Sequence, residues 1–177
     1  MRTILENYDM NTAQNIPWLL RGAYLAMHRA TNARLARLGV TADQFVLLCV
    51  LVEDNALTQR DLARRSFSDP NTIRPMLISL EGRGLLTRQR HPRDGRAMTV
   101  ELTAKGLKTW KELIKASEPV REKLAAAFRP ADIPTLFDFL CRITEAMDLP
   151  IPNRAGTQRA APDEIETVRR KPASRKR

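Results

Sequence analysis

A chain of 177 residues with 43% apolar side chains can hold one domain of ordinary size with appendages. Aromatic residues make up only 5%, too few for a single-strand binder built on stacked rings, and a net charge of +10 favours a polyanionic partner. Cys49 and Cys141 are too few and too far apart for a disulfide framework or a metal knuckle, so no metal is expected. No apolar run approaches membrane-spanning length and the first residues carry no signal-peptide core, so a cytoplasmic protein without membrane contact is expected.

The first helix is marked by Ile16, Leu20, Ala23, Tyr24, Met27, Leu35 and Leu38, an apolar stripe at helical spacing that Gly39 ends. A second helix starts at Thr41 or Ala42. It is apolar nearly all round, from Phe45 through Val52, and should be central to the core. Thr58-Gln59-Arg60-Asp61 opens a short third helix, with a threonine cap and an acid in the positive first turn. Asp69 caps the fourth and Pro70 fits its first position, where no amide partner is lost. That helix buries Ile73, Met76, Leu77 and Leu80 and ends at Gly82 and Gly84. Its other face presents Asn71, Thr72, Arg74 and Ser79.

A hairpin follows. Leu85 to Gln89 is one strand. Ala97 to Leu102 is the other, with Met98, Val100 and Leu102 expected on one side and Thr99 and Glu101 on the other. The loop between them contains Asp94-Gly95, a tight-turn pair. From Leu86 to Arg96 the hairpin carries Arg88, Arg90, Arg93 and Arg96 against Asp94 alone. Two helices joined by a turn, then an arginine-tipped finger, suit duplex DNA, with the finger lying along a groove.

Thr103 caps a long fifth helix carrying Leu107, Trp110, Ile114, Leu124 and Phe128, with a kink or break expected at Pro119. A last helix from about Ala131 to Met147 bears Ile133, Leu136, Phe137, Leu140, Ile143 and Met147 on one stripe. Pro150 and Pro152 stop it. The outer helices have too little partner surface in one chain. Pairing two copies would bury their stripes and set two recognition helices about 34 Å apart, one turn of DNA. A monomeric helical bundle with an embedded finger is the alternative. Beyond Asn153 large apolar residues are nearly absent and eight Lys or Arg face three acids, so this tail reads as disordered. It would either graze phosphates or simply aid solubility.

Four short stretches carry a family resemblance: Asp69-Pro70-Asn71-Thr72-Ile73, Leu80-Glu81-Gly82-Arg83-Gly84-Leu85-Leu86, Asp94-Gly95-Arg96 and Leu102-Thr103-Ala104-Lys105-Gly106. Over about residues 12 to 148 the chain resembles the multiple-antibiotic-resistance regulator (MarR) family. The resemblance implies a mainly α protein: a winged helix-turn-helix with a two-stranded β-wing and flanking N- and C-terminal dimerisation helices. Its expected divisions are 1–38 (dimerisation helix), 39–102 (DNA-binding domain), 103–150 (dimerisation helices) and 151–177 (basic tail). It implies a homodimer that regulates transcription, usually by repression, on a pseudo-palindromic DNA operator. Asp94 and Arg96 match the pair that shapes the wing, whereas Gly95 departs from the arginine often found between them.

Base readout is expected from Asn71, Thr72 and Arg74, with Ser79 on the same exposed surface. Pro75 is either a thymine-methyl contact at a local bend or a tolerated exposed kink. The wing arginines should add salt-dependent affinity. Family members also commonly bind small aromatic acids between the dimer helices and the winged domain. Trp18, Tyr24, Met27 and His28 are the candidates to line such a pocket, although aromatic and Met residues on an amphipathic stripe more often fill a core or an interface. The two thiols read as inert core groups. No Gly-rich phosphate loop and no nucleophile with a base nearby is present, so no catalytic residue and no cofactor is expected. The alternative function is a docking module of an enzyme, or a protein-interaction module that never touches DNA.

Overall fold

The computed structural model describes residues 15–90 and 97–147. The chain opens with helix α1 (Ile16–Leu35), started by a proline in its first turn. A 3-10 turn (Ala36–Leu38) closes at Gly39, whose φ of 64° is the left-handed value that favours glycine. Helix α2 (Ala42–Glu53) starts with a full capping box: Thr41 Oγ1 accepts from Gln44 N–H and Gln44 Oε1 from Thr41 N–H. A third orphan donor, Ala42 N–H, goes to Asn32 Oδ1 of α1 at 2.7 Å. As expected, α2 is the core element, with Leu47, Leu48 and Leu51 essentially fully buried.

The winged helix-turn-helix half follows as strand β1 (Leu57–Thr58), helix α3 (Gln59–Arg65), helix α4 (Pro70–Gly82), strand β2 (Leu86–Arg90) and strand β3 (Met98–Leu102). The sheet has three strands rather than two, in the order β1-β3-β2, all antiparallel. Leu57 pairs with Val100 and Leu86 with Leu102. A two-residue strand has no periodicity to detect. It exists because β3 offers an open edge, and Asn55 Oδ1 takes the Leu102 N–H beside it. The expected alternation in β3 fails at its outer end. Met98 is 44% exposed and Thr99 is buried, because Met98 lies beyond the edge of the core and Thr99 Oγ1 bonds to Gln89 O.

Helix α5 (Ala104–Ala125) crosses back over α1 and α2, placing Trp110 and Leu113 in the core. It runs unbroken through Pro119. The proline removes one backbone hydrogen bond, to the carbonyl of Lys115, and both residues lie on the exposed surface, where water can replace it. A 3-10 turn (Pro130–Asp132) precedes helix α6 (Ile133–Ala146), held by paired contacts from Arg129 to Asp132 of 2.8 and 2.9 Å. Cys141 is the buried residue of α6, and Ile133, Phe137 and Leu140 stand exposed.

Candidate nucleic-acid interface

Helix α4 is built to hold one face outward. At its start Asp69 Oδ1 accepts from the backbone N–H groups of Asn71 and Thr72, both at 2.9 Å, and its Oδ2 accepts from the Thr72 hydroxyl. These bonds hold the Asp69 carboxyl below its usual pKa, the Thr72 hydroxyl contributing most. At its end Gly84 adopts φ of 70°, and the Gly84 and Leu85 N–H groups return to the carbonyls of Glu81 and Leu80 in a Schellman closure. Between these ends Ile73, Leu77 and Leu80 are fully buried, which anchors the helix against the core.

The opposite surface exposes Asn71, Thr72, Arg74, Pro75 and Ser79, the five sequence candidates on this helix. Thr72 is also part of the cap, so its hydroxyl proton is committed to Asp69. Pro75 sits inside a helix that continues to Gly82, so the chain tolerates the lost bond to the carbonyl of Asn71. One further residue belongs to this face: Ile78, 51% exposed, one helical step beyond Pro75. Its spacing was available in the sequence, seven positions after Asn71, but an apolar residue in a helix is naturally assigned to the core.

In the wing, Arg90 is exposed at the end of β2. Arg88 is turned back instead. Its guanidinium binds Glu81 Oε2 through Nε at 2.8 Å and through a second nitrogen, and this lowers the Glu81 pKa. Arg88 therefore ties β2 to the end of α4. Arg93, Asp94 and Arg96 lie outside the described residues.

A second clamp was not anticipated. Arg83 donates to Leu38 O at 2.8 Å and to Gly39 O, joining the end of α4 to the turn that ends α1. Lys105 Nζ, from α5, donates to Arg83 O at 2.7 Å. The sequence contained the arginine but not the distance of more than forty residues that it spans.

The pocket candidates are dispersed over α1. Trp18 is 62% exposed, and Tyr24 and Met27 are also exposed. His28 is half-buried and engaged on both ring nitrogens, 3.1 Å from Asp43 Oδ2 and 3.1 Å from Asn32 Nδ2. Asn32 Oδ1 already accepts from Ala42, so its Nδ2 faces the ring and donates to Nδ1. That assigns the proton to Nε2, aimed at Asp43. A cavity of about 650 Å³ lies between α1 and α5, lined by Arg34, Arg37, Leu38, Glu112, Lys115 and two alanines, and by none of the four candidates. Cys141 is buried, and half-buried Cys49 accepts from the Trp110 indole N–H at 3.4 Å. Among the described residues no cluster suits a metal ion, and no helix is long and apolar enough to cross a membrane.

The sequence model of the MarR family matches residues 40–98. The organic hydroperoxide resistance transcriptional regulator of Bacillus subtilis is 30% identical over 97 residues, which are 55% of this chain and 66% of that protein. The regulator TtmR of Methylorubrum extorquens is 36% identical over 86 residues, 47% of this chain and 44% of its own length. The transcriptional repressor Rv2887 of Mycobacterium tuberculosis is 30% identical over 113 residues, 63% of this chain and 78% of that protein. This chain thus spans less than two thirds of the first two relatives and more of the third. Among solved structures, the repressor CouR bound to a 23-mer DNA duplex aligns with a TM-score of 0.69 at 25% identity, covering 77% of this chain and 98% of that one. BpsR of Bordetella bronchiseptica, whose DNA binding is regulated by 6-hydroxynicotinic acid, aligns with 0.67 at 26% identity, covering 73% and 98%.

Proposed function

The chain belongs to the MarR family, and from that membership we propose that it is a homodimeric, sequence-specific regulator of transcription, a repressor released by a small ligand. The observation that carries this reading is the two-sided construction of α4. Three core anchors at 0% exposure hold it, while Asn71, Thr72, Arg74, Pro75 and Ser79 stand outward beside the wing strand. Asn71 and Arg74 match the edges of adenine and guanine. Arg90, with Arg93 and Arg96 beyond it, supplies phosphate contacts, and Asp94 shapes the tip. The relatives are regulators rather than enzymes, and this chain is read in the same way, as a binder without catalysis. A protein working on genomic DNA belongs in the cytoplasm.

Homodimerisation is supported by the apolar surface left open on α1 and α6, where Ile16, Tyr24, Ile133, Phe137 and Leu140 are all more than 40% exposed in one chain. Residues 1–38 and 103–150 are then the pairing arms, 39–102 the reader and 151–177 a basic extension. The ligand reading draws on the relatives: BpsR responds to 6-hydroxynicotinic acid. Trp18, Tyr24 and Met27 remain the aromatic and soft surface for such a ligand at the dimer arms, with His28 serving as a strut between α1 and α2.

Fluorescence anisotropy tests the proposal, with a duplex from upstream of the protein's own gene against an unrelated duplex of equal length. Binding about 10³-fold tighter to the first, falling linearly in log–log form with salt, is expected. Equal affinity for both, or none, overturns it.

A further inference from the structure

The outward face of α4 is half apolar. Asn71, Arg74, Pro75 and Ile78 follow one another at i, i+3, i+4 and i+7, so they form a single stripe. That stripe lies opposite Ile73, Leu77 and Leu80, the residues that dock the helix. Ile78 therefore packs little within its own chain, and at 51% exposure a β-branched residue gains nothing from helix propensity either. We propose that Pro75 and Ile78 form an apolar pad that reads the 5-methyl groups of thymines on neighbouring base pairs, Ile78 being the residue that sets this specificity. The inference rests on the DNA-binding reading above and names part of what that face recognises.

Three arguments select this occupant. In the major groove the thymine methyl is the one apolar group that projects from a base edge, so it is the partner that best fits an apolar side chain there. Residues three apart on a helix are about 4.5 Å apart along its axis, close to the roughly 3.4 Å between stacked base pairs, so the two side chains meet successive steps. The patch is two side chains wide, bounded by Asn71, Arg74 and Ser79. That is far below the roughly 800 Å² per partner of a stable protein interface. The Pro75 ring carries no hydrogen-bonding group, so its only contribution on this face is contact.

The test uses the full chain. A random duplex pool is selected with the wild type, and the enriched duplex is resynthesised with deoxyuridine at each thymine of one half-site in turn. Deoxyuridine keeps the pairing edge and removes only the methyl. At one or two adjacent positions the wild type should lose about fourfold in affinity per methyl, the value of one buried carbon group. Ile78→Ala should bind the thymine duplex about fourfold more weakly and lose nothing further on deoxyuridine at one of these positions, any penalty at the adjacent one belonging to Pro75, while Ile78→Val keeps most of the penalty at both. Wild-type affinity unchanged by deoxyuridine at every position, or an Ile78→Ala profile that keeps the wild-type penalty at every sensitive position, overturns the methyl assignment while leaving DNA binding intact. A pool from which nothing is enriched overturns the DNA reading and this inference with it.

Discussion

Gly106 occupies a place where no side chain fits. A Cβ there would sit 1.9 Å from the carbonyl oxygen of Leu85. That same oxygen accepts from the Thr103 N–H and hydroxyl, both at 3.1 Å, and Thr103 Oγ1 in turn caps α5 by accepting from Gly106 N–H. The Thr103–Gly106 stretch thus joins the start of α5 to the approach into β2. Gly106→Ala must push the two apart. We expect a loss of about 3 kcal/mol or more in urea unfolding, at or beyond the upper end for overpacking, and a loss under 1 kcal/mol would show that the contact relaxes freely. Asp69 gives a pH prediction at the same scale. Its folded pKa lies below the ordinary 3.8, so its charge stabilises the fold above that value, and this contribution disappears as pH falls through the lowered one. Asp69→Asn keeps a capping oxygen without the charge. Its melting temperature should fall below wild type from about pH 5 to 7 and converge with it as pH falls through the lowered Asp69 value. A gap that persists in acid would assign the effect to shape rather than charge.

Recognition depends on how elements are held relative to one another. Within α4, Arg74→Ala should cost about 1–3 kcal/mol on the selected duplex and relax preference at one base pair; a uniform loss over all sequences would make Arg74 a phosphate contact. Between elements, the Arg83 bonds to Leu38 O and Gly39 O fix the end of α4 to the end of α1. If α1 belongs to the dimer arm, this clamp sets the angle at which each recognition helix leaves the pair. Arg83→Ala should then bind DNA more weakly, with the dimer intact. It should also discriminate less between duplexes whose half-sites are one base pair nearer or farther apart. Affinities across such a spacing series decide the matter, and undiminished discrimination would reduce Arg83 to a local cap.

The whole molecule has a well-filled reader and an unfinished frame. Among the described residues, nineteen buried ones from α1 to α5 form one cluster around α2, whereas α6 and most of α1 contribute almost nothing to it. Light scattering at micromolar concentration should report a dimer. Phe137→Glu, on the open stripe of α6, should report a monomer whose operator affinity falls by about 10²-fold or more, because each half-site must then bind alone. A wild-type monomer would overturn the homodimer, and a Phe137→Glu dimer would move the pairing surface elsewhere.

Much of this architecture was legible in local chemistry. The caps at Thr41, Thr58, Asp69 and Thr103, the glycine closures at Gly39 and Gly84, and the buried stripe of α4 depend on neighbours within a few residues, so the sequence alone determined the helices and their order. The third strand, the inward turn of Arg88 to Glu81, the Arg83 clamp and the role of His28 as a strut depend on partners that only folding brings close. Ile78 is the instructive intermediate. Its composition suggested burial and its spacing suggested exposure, and tertiary packing chose between them, because the core had room for one face of α4 and that face was already filled by Ile73, Leu77 and Leu80.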